Sequence, residues 1–132
     1  MPPRVVNRLS RDAFRDVEAK SMSERVLQDN VLRLAERLGW RIAHFRPARV
    51  GDRRDGSTRW VTAMSGAGCK GFPDLVLLRE DRLLWRELKT ERGRVTVEQR
   101  AWLDELVAAG QDAGIWRPSH WLAGTVERNL IG

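Results

Sequence analysis

Apolar residues along the chain switch between a helical and a strand rhythm. Leu27, Val31, Leu34, Ala35 and Leu38 recur at helical spacing, which predicts an amphipathic helix over residues 21–38. Ser21 and Glu24 fit an S-x-x-E capping box at its start, and Gly39 stops it. Residues 40–46 alternate instead, with Ile42 and His44 toward one face and Ala43 and Phe45 toward the other, until Pro47 interrupts. Residues 50–58 read as a polar loop and residues 59–64 as a return strand. Leu75 to Leu78 is a short unbroken apolar run between turn signals, the pattern of a strand buried on both faces. Residues 83–89 form its hairpin partner across the polar turn Arg79-Glu80-Asp81-Arg82. Thr96 and Gln99 open a second capped helix, with Trp102, Leu103, Leu106 and Val107 facing inward and Gly110 at its end. Residues 113–116 read as a last strand. A strand–helix–strand order places it parallel to the 83–89 strand. Pro118 and Ser119 end it, and a short helical tail follows. Residues 1–20 are polar, with a thin apolar face between Arg8 and Glu18. They are expected to be a weakly ordered arm ahead of a single domain over 21–132.

The hairpin fixes the chemistry. With its turn centred between Glu80 and Asp81, Leu75 faces Arg86 and Asp74 faces Glu87. Lys89, two residues on, shares the Glu87 face, while Arg86 and Leu88 point the other way. Arg86 implies that this other face is incompletely buried. Two carboxylates that close repel unless a proton or a cation lies between them. Oxygen ligands select a hard divalent ion, Mg²⁺ or Mn²⁺. The plainer alternative is a surface hairpin with a Glu–Lys pair and an Asp at a turn. Pro73 and Gly71 ahead of Asp74 favour the site, by setting the strand entrance and allowing close backbone approach. Glu24 caps its helix or turns toward the site, with Gln28 on the same face. Lys89 can orient a water or stabilise charge developing on a phosphate. Metal-assisted hydrolysis of a phosphodiester is the reaction class that fits.

Charge changes the picture of the partner. The chain has 132 residues, with 24 Lys+Arg against 18 Asp+Glu, and a net charge of +6 favours a polyanion such as nucleic acid. Six arginines lie between Arg41 and Arg59, so Arg46, Arg49, Arg53, Arg54 and Arg59 are read as a phosphate-gripping wing rather than only a solvated hairpin. Lys70 and Thr96, at the start of the second helix, are further phosphate candidates, and Gln99 can reach the site or a phosphate. His44 reads as a strand residue, because no second histidine has metal-ligand spacing. The single Cys69 excludes an internal disulfide and a cysteine zinc cage. With no signal-peptide core and no membrane-length apolar run, a cytoplasmic protein is expected. Of six tryptophans, Trp40, Trp85, Trp102 and Trp116 are expected in or at the core, and Trp60 and Trp121 are expected to be more exposed.

Pro73-Asp74 followed by Glu87-Leu88-Lys89 resembles the PD-(D/E)xK nuclease superfamily. The order Gly71-x-Pro73-Asp74, Glu87-Leu88-Lys89-Thr90, Glu98-Gln99 and a helix ending Ala108-Ala109-Gly110 is similar to the virus-type replication-repair nuclease (VRR-NUC) domain, over about residues 21–121. The resemblance implies an α/β, restriction-endonuclease-like α-β-β-β-α-β core with a mixed sheet. It implies metal binding by Asp74, Glu87 and the Leu88 carbonyl, with Lys89 at the attacking water. Gln99 matches the family's glutamine, and Glu24 the acid of its first helix. Stand-alone members resemble homodimeric Holliday-junction resolvases. The expected function is therefore a Mg²⁺-dependent (Mn²⁺-tolerant) endonuclease for branched DNA, working as a homodimer. A flap, nick or duplex cutter, a catalytically silent DNA-binding module, and an accessory protein activated by a partner are the alternatives.

Overall fold

The computed structural model describes residues 5–45, 48–51, 58–61 and 68–132, with residues 54, 56 and 66. Four strands form the central sheet in the order β1-β4-β5-β6: β1 (Arg41–His44), β4 (Leu75–Arg79), β5 (Arg82–Leu88) and β6 (Asp112–Trp116). β1 and β5 each pair antiparallel with β4, and β6 runs parallel to β5. The sheet is therefore mixed. With α2 (Glu24–Arg37) before β1 and α3 (Val97–Ala108) between β5 and β6, the core order is α-β-β-β-α-β. Leu75 pairs with Arg86 and Arg79 with Arg82, the register expected from the turn.

One face of the sheet is closed by α2 and by two short C-terminal helices, α4 (Pro118–Leu122) and α5 (Thr125–Ile131). Leu27, Val31 and Ala35 of α2 meet Leu75, Leu77, Leu84 and Leu88 of the strands, with Val126 and Leu130 of α5 in the same cluster. Burial stabilises by about 1.5–3 kcal/mol for each side chain of this size. The helical tail is thus part of the core, not an appendage. Trp121 packs partly buried against the same cluster, more enclosed than expected. Trp60 belongs to a stretch whose side chains lie outside the described residues. On the other side of the chain's core, Phe72 makes edge-to-face contacts with Phe45, Trp85 and Trp102 at centroid distances of 5.0, 5.9 and 5.0 Å. These contacts tie β1, β5 and α3 to the loop that delivers Asp74. Of the expected inward face of α3, Leu103 is buried and Val107 is exposed.

The structure corrects several other expectations. Residues 5–21 form a helix, α1 (Val5–Ser21). Its Ala19 is buried, and α1 rests on α4, which supplies the contact its thin apolar face needs. The cap of α2 is Ser23, whose side chain accepts from the Val26 N–H; Ser21 ends α1. Glu24 is therefore the first residue of α2 and has no part in a capping box. Residues 58–61 do return as a strand, β3 (Thr58–Val61), but it pairs with β2 (Ala48–Gly51), which lies partly in the expected loop. The two make a separate two-stranded sheet. The face of β5 bearing Arg86 is closed. Arg86 is 5% exposed, its guanidinium lies over Trp116, and it bonds Asp112 at 2.8 Å. No helix among the described residues is long and apolar enough to cross a membrane.

Like charges face each other at the β4–β5 turn, and Trp40 with the C-terminal carbonyls absorbs them. Arg79 and Arg82 stack over Trp40 at 4.7 and 5.0 Å. Arg82 donates to Asn129 O at 2.6 Å and Arg79 to Leu38 O at 3.1 Å. Cations at helix C-termini are favourable, and a bond from a charged donor contributes about 1.5–3 kcal/mol. Arg82→Ala is expected to lower unfolding free energy by about 2 kcal/mol. Urea denaturation measures it, and a loss under about 0.5 kcal/mol would show that α5 is not anchored this way.

Candidate active site

Asp74 enters the sheet one residue before β4. Its backbone carbonyl accepts from Phe45 N at 2.9 Å, and the Pro73 before it is fully buried, so the entrance is rigid. Its Oδ2 accepts from the Leu88 N–H at 2.8 Å. That bond crosses from β4 to β5 and brings Asp74 to Glu87. The Glu87 side chain is 3% exposed. Its Oε1 accepts from Gln99 Nε2 at 2.9 Å and lies 3.9 Å from Lys89 Nζ. Glu87 Oε2 is buried with no hydrogen-bond donor among the described residues.

Gln99 reaches Glu87 because of how α3 begins. Thr96 Oγ1 accepts from Gln99 N at 3.1 Å, and Gln99 Oε1 accepts from Thr96 N at 3.0 Å, closing the capping box. The amide oxygen caps the helix while the amide nitrogen holds the acid. Gln99 thus caps α3 and bonds Glu87 at once.

Burial dominates the electrostatics. It pushes the Glu87 carboxyl up, the neighbouring Asp74 charge pushes it further, and Lys89 pulls back; the value reached is about 8. Asp74 is raised by burial, which outweighs its Leu88 bond, Glu87 and Lys89. Glu24 is raised by burial and then by Asp74, with Lys89 opposing. Three acids thus feel one another around one ammonium. Among the described residues, however, no three of His, Cys, Asp and Glu converge tightly enough to hold an ion between their side chains. Asp74 and Glu87 form the inner pair, and Glu24 adds charge from the start of α2.

This pair makes stability depend on pH. The native state keeps a proton on Glu87 from the ordinary value of 4.5 up to about 8, whereas the unfolded chain releases it near 4.5. The native state binds more protons in that window, so stability falls as pH rises through it. At about 1.4 kcal/mol per pH unit, the loss amounts to several kcal/mol at most. Urea unfolding in chelator at pH 5, 6.5 and 8 should show this decline, and Glu87→Gln should flatten it. A wild-type stability that rises across the window would contradict the raised Glu87 carboxyl.

The other predicted residues are dispersed. Lys70 is exposed and pairs with Glu98 at the start of α3, at 3.4 Å. Thr96 is occupied as the helix cap. Arg49 lies on β2 and Arg59 on β3, where they face Trp60 and Val50. Arg54 is exposed. Arg46 and Arg53 lie outside the described residues. His44 meets Gln28 Nε2 through Nδ1 at 3.4 Å, linking β1 to α2 one turn after Glu24. Spacing did not reveal Arg117. Its Nη1 donates to the carbonyls of Thr90, Glu91 and Gly93 at 2.7, 3.3 and 2.8 Å, fastening the loop after Lys89. The only sequence signal was the polar loop itself, because the partners lie more than twenty residues apart.

No curated protein matches the chain, and no solved structure does. The family model described as the VRR-NUC domain matches residues 52–119, just over half of the 132 residues. That span holds Asp74, Glu87, Leu88, Lys89 and Gln99; Glu24 lies before it. Because that match spans more than half of the chain, the chain belongs to the VRR-NUC family of virus-type replication-repair nucleases.

Proposed function

We propose that this nuclease is a divalent-metal-dependent endonuclease that hydrolyses phosphodiester bonds in branched DNA, with Mg²⁺ as its ion and Mn²⁺ as a substitute. One observation supports the metal above all: Glu87 Oε2 is buried without a donor among the described residues, in a carboxyl pair that burial and mutual charge hold partly protonated. An unsatisfied acid of this kind calls for a cation, and an all-oxygen donor set fits a hard one. Asp74, Glu87 and the Leu88 carbonyl would hold the ion, and Glu24 would add negative charge around it. Bound there, the ion supplies Lewis acidity at a phosphoryl oxygen and lowers the pKa of a bound water.

The chain's own groups do the rest. Lys89 Nζ, held beside Glu87, donates to the attacking water and offsets charge developing on the phosphate. Gln99 fixes the Glu87 carboxylate so that its free oxygen stays directed at the site. The net charge of +6 draws in the DNA backbone. A four-way junction presents two related cleavage points, so action there would use two copies of the chain.

A panel of four-way junctions, flaps, nicked and plain duplexes, incubated with and without Mg²⁺, tests the reading. Cutting confined to branched DNA and dependent on the ion is expected. Preference for plain duplex would remove the branched-DNA assignment. Binding without cutting in any divalent ion would favour a silent binding module.

A further inference from the structure

The loop between Lys89 and α3 carries two arginines, Arg92 and Arg94, whose guanidiniums have no partner among the described residues. Its backbone is held from several directions. Gly93 N donates to Thr90 O at 3.1 Å, closing a tight turn. Arg117 fastens three of its carbonyls from the end of β6. Glu91 Oε2 accepts from Ser119 N at 2.9 Å, which ties the turn to α4. Arg92 and Arg94 remain outside this lattice. Both side chains are exposed, and neither guanidinium has an ion pair or hydrogen bond among the described residues. A loop held this firmly, with two exposed guanidiniums unpaired among the described residues, is organised to present charge.

Position identifies the ligand. Arg92 follows Lys89 by three residues, so its Cα lies within about 11 Å of that of Lys89. Arg94 stands just before the Thr96 cap of α3, whose next turn carries Gln99. The pair therefore flanks the site on the side where β5 and β6 end. We propose that Arg92 and Arg94 grip the sugar–phosphate backbone beside the scissile phosphate, with Arg117 as the residue that positions their loop. This rests on DNA being the substrate, and it adds a substrate contact to the same site. Guanidinium suits the role, because its planar donors pair with phosphate and keep their charge at any working pH.

Binding and cutting are measured separately. Fluorescence anisotropy follows a labelled duplex and a four-way junction in chelator across a series of salt concentrations. Each phosphate contact contributes about 0.9 to the slope of log affinity against log salt on duplex DNA. Arg92→Gln/Arg94→Gln is expected to lower that slope by about 2 and to bind about tenfold more weakly at physiological salt. Arg33→Gln/Arg37→Gln removes the same charge from exposed positions of α2 and is expected to keep the wild-type slope and cleavage rate. Arg117→Ala is expected to weaken binding severalfold at a near-wild-type slope, because both guanidiniums remain but must be ordered on binding. An unchanged slope in the loop variant, or an equal fall in the α2 variant, overturns the proposal while leaving the nuclease reading intact. Wild-type affinity in Arg117→Ala overturns the positioning role. Salt-dependent binding through the loop without cleavage by wild type would sustain the proposal and sink the nuclease reading.

Discussion

Asp74→Asn is expected to abolish DNA cleavage and, in chelator near pH 8, to make the protein more stable than wild type. The two effects have one cause. Asparagine has the shape of aspartate, so its amide oxygen can still accept from the Leu88 N–H that Asp74 Oδ2 engages at 2.8 Å. What disappears is a buried negative charge against Glu87. That charge is the second-largest influence raising Glu87 to about 8, after burial itself. Without it, Glu87 titrates nearer the ordinary carboxylate range, and the pH-dependent loss of stability shrinks. The new amide N–H₂ is also a donor for the oxygen of Glu87 that has none among the described residues. A gain of about 1–3 kcal/mol is expected at pH 8, with little change at pH 5. Cleavage should fall by roughly 10³-fold or more, about 4 kcal/mol of barrier, since half of the inner acid pair is gone. Millimolar Mg²⁺ should stabilise wild type and leave the variant unmoved, because a ligand stabilises only the state that binds it. Cutting within tenfold of wild type would remove Asp74 from the site. A variant less stable than wild type at pH 8 would mean the two acids do not repel.

The site was largely legible because a hairpin is a short-range device. The four polar residues of the Arg79–Arg82 turn fixed the register, and the register brought Asp74 to Glu87 with Lys89 on the same face. Capping is similarly local, so Thr96 and Gln99 announced the start of α3. Local signals failed where two of them competed. Ser21 and Ser23 both stand before the α2 stripe; the S-x-x-E spacing favoured Ser21, but α1 runs through it and leaves Ser23 as the cap. Glu24 was released from capping by that two-residue shift. Long-range partners gave no signal. Arg86 reads as an exposed cation until Asp112 and the Trp116 ring arrive from the neighbouring strand. Arg117 gives no local signal, because its partners in the Thr90–Gly93 turn lie more than twenty residues away. Val126 and Leu130, in the short C-terminal tail, are fully buried, because their partners come from α2 and the central strands far along the chain. Arginine is poorly read from sequence for a physical reason: its long stem and five donors suit burial against carbonyls, stacking on tryptophan, or open solvent equally well.

Gly71→Ala is expected to cause the largest stability loss of any methyl-sized change near the site, about 3 kcal/mol or more, together with a fall in cleavage rate. Gly71 has φ +85, where a side chain costs about 1–2 kcal/mol by itself. A Cβ there would also lie 2.5 Å from Glu98 C, 2.6 Å from Gln99 N and 2.7 Å from Glu98 O. These atoms are the backbone of the first turn of α3, so no rotamer change relieves the contact. The loop cannot retreat freely either, since Gly68 O accepts from Trp102 Nε1 at 2.9 Å and Phe72 is wedged between Phe45, Trp85 and Trp102. The strain should therefore displace Gln99, and with it the bond that holds Glu87. Gly110→Ala supplies the comparison. Gly110 has φ +82, almost the same conformation, but nothing lies within 4 Å of where its Cβ would be. It should lose only the conformational part, about 1 kcal/mol, and cut DNA at the wild-type rate. Urea unfolding and initial cleavage rates on the two variants separate backbone conformation from contact. Equal losses would mean that Gly71 serves only its turn, and that α3 is not seated on this loop.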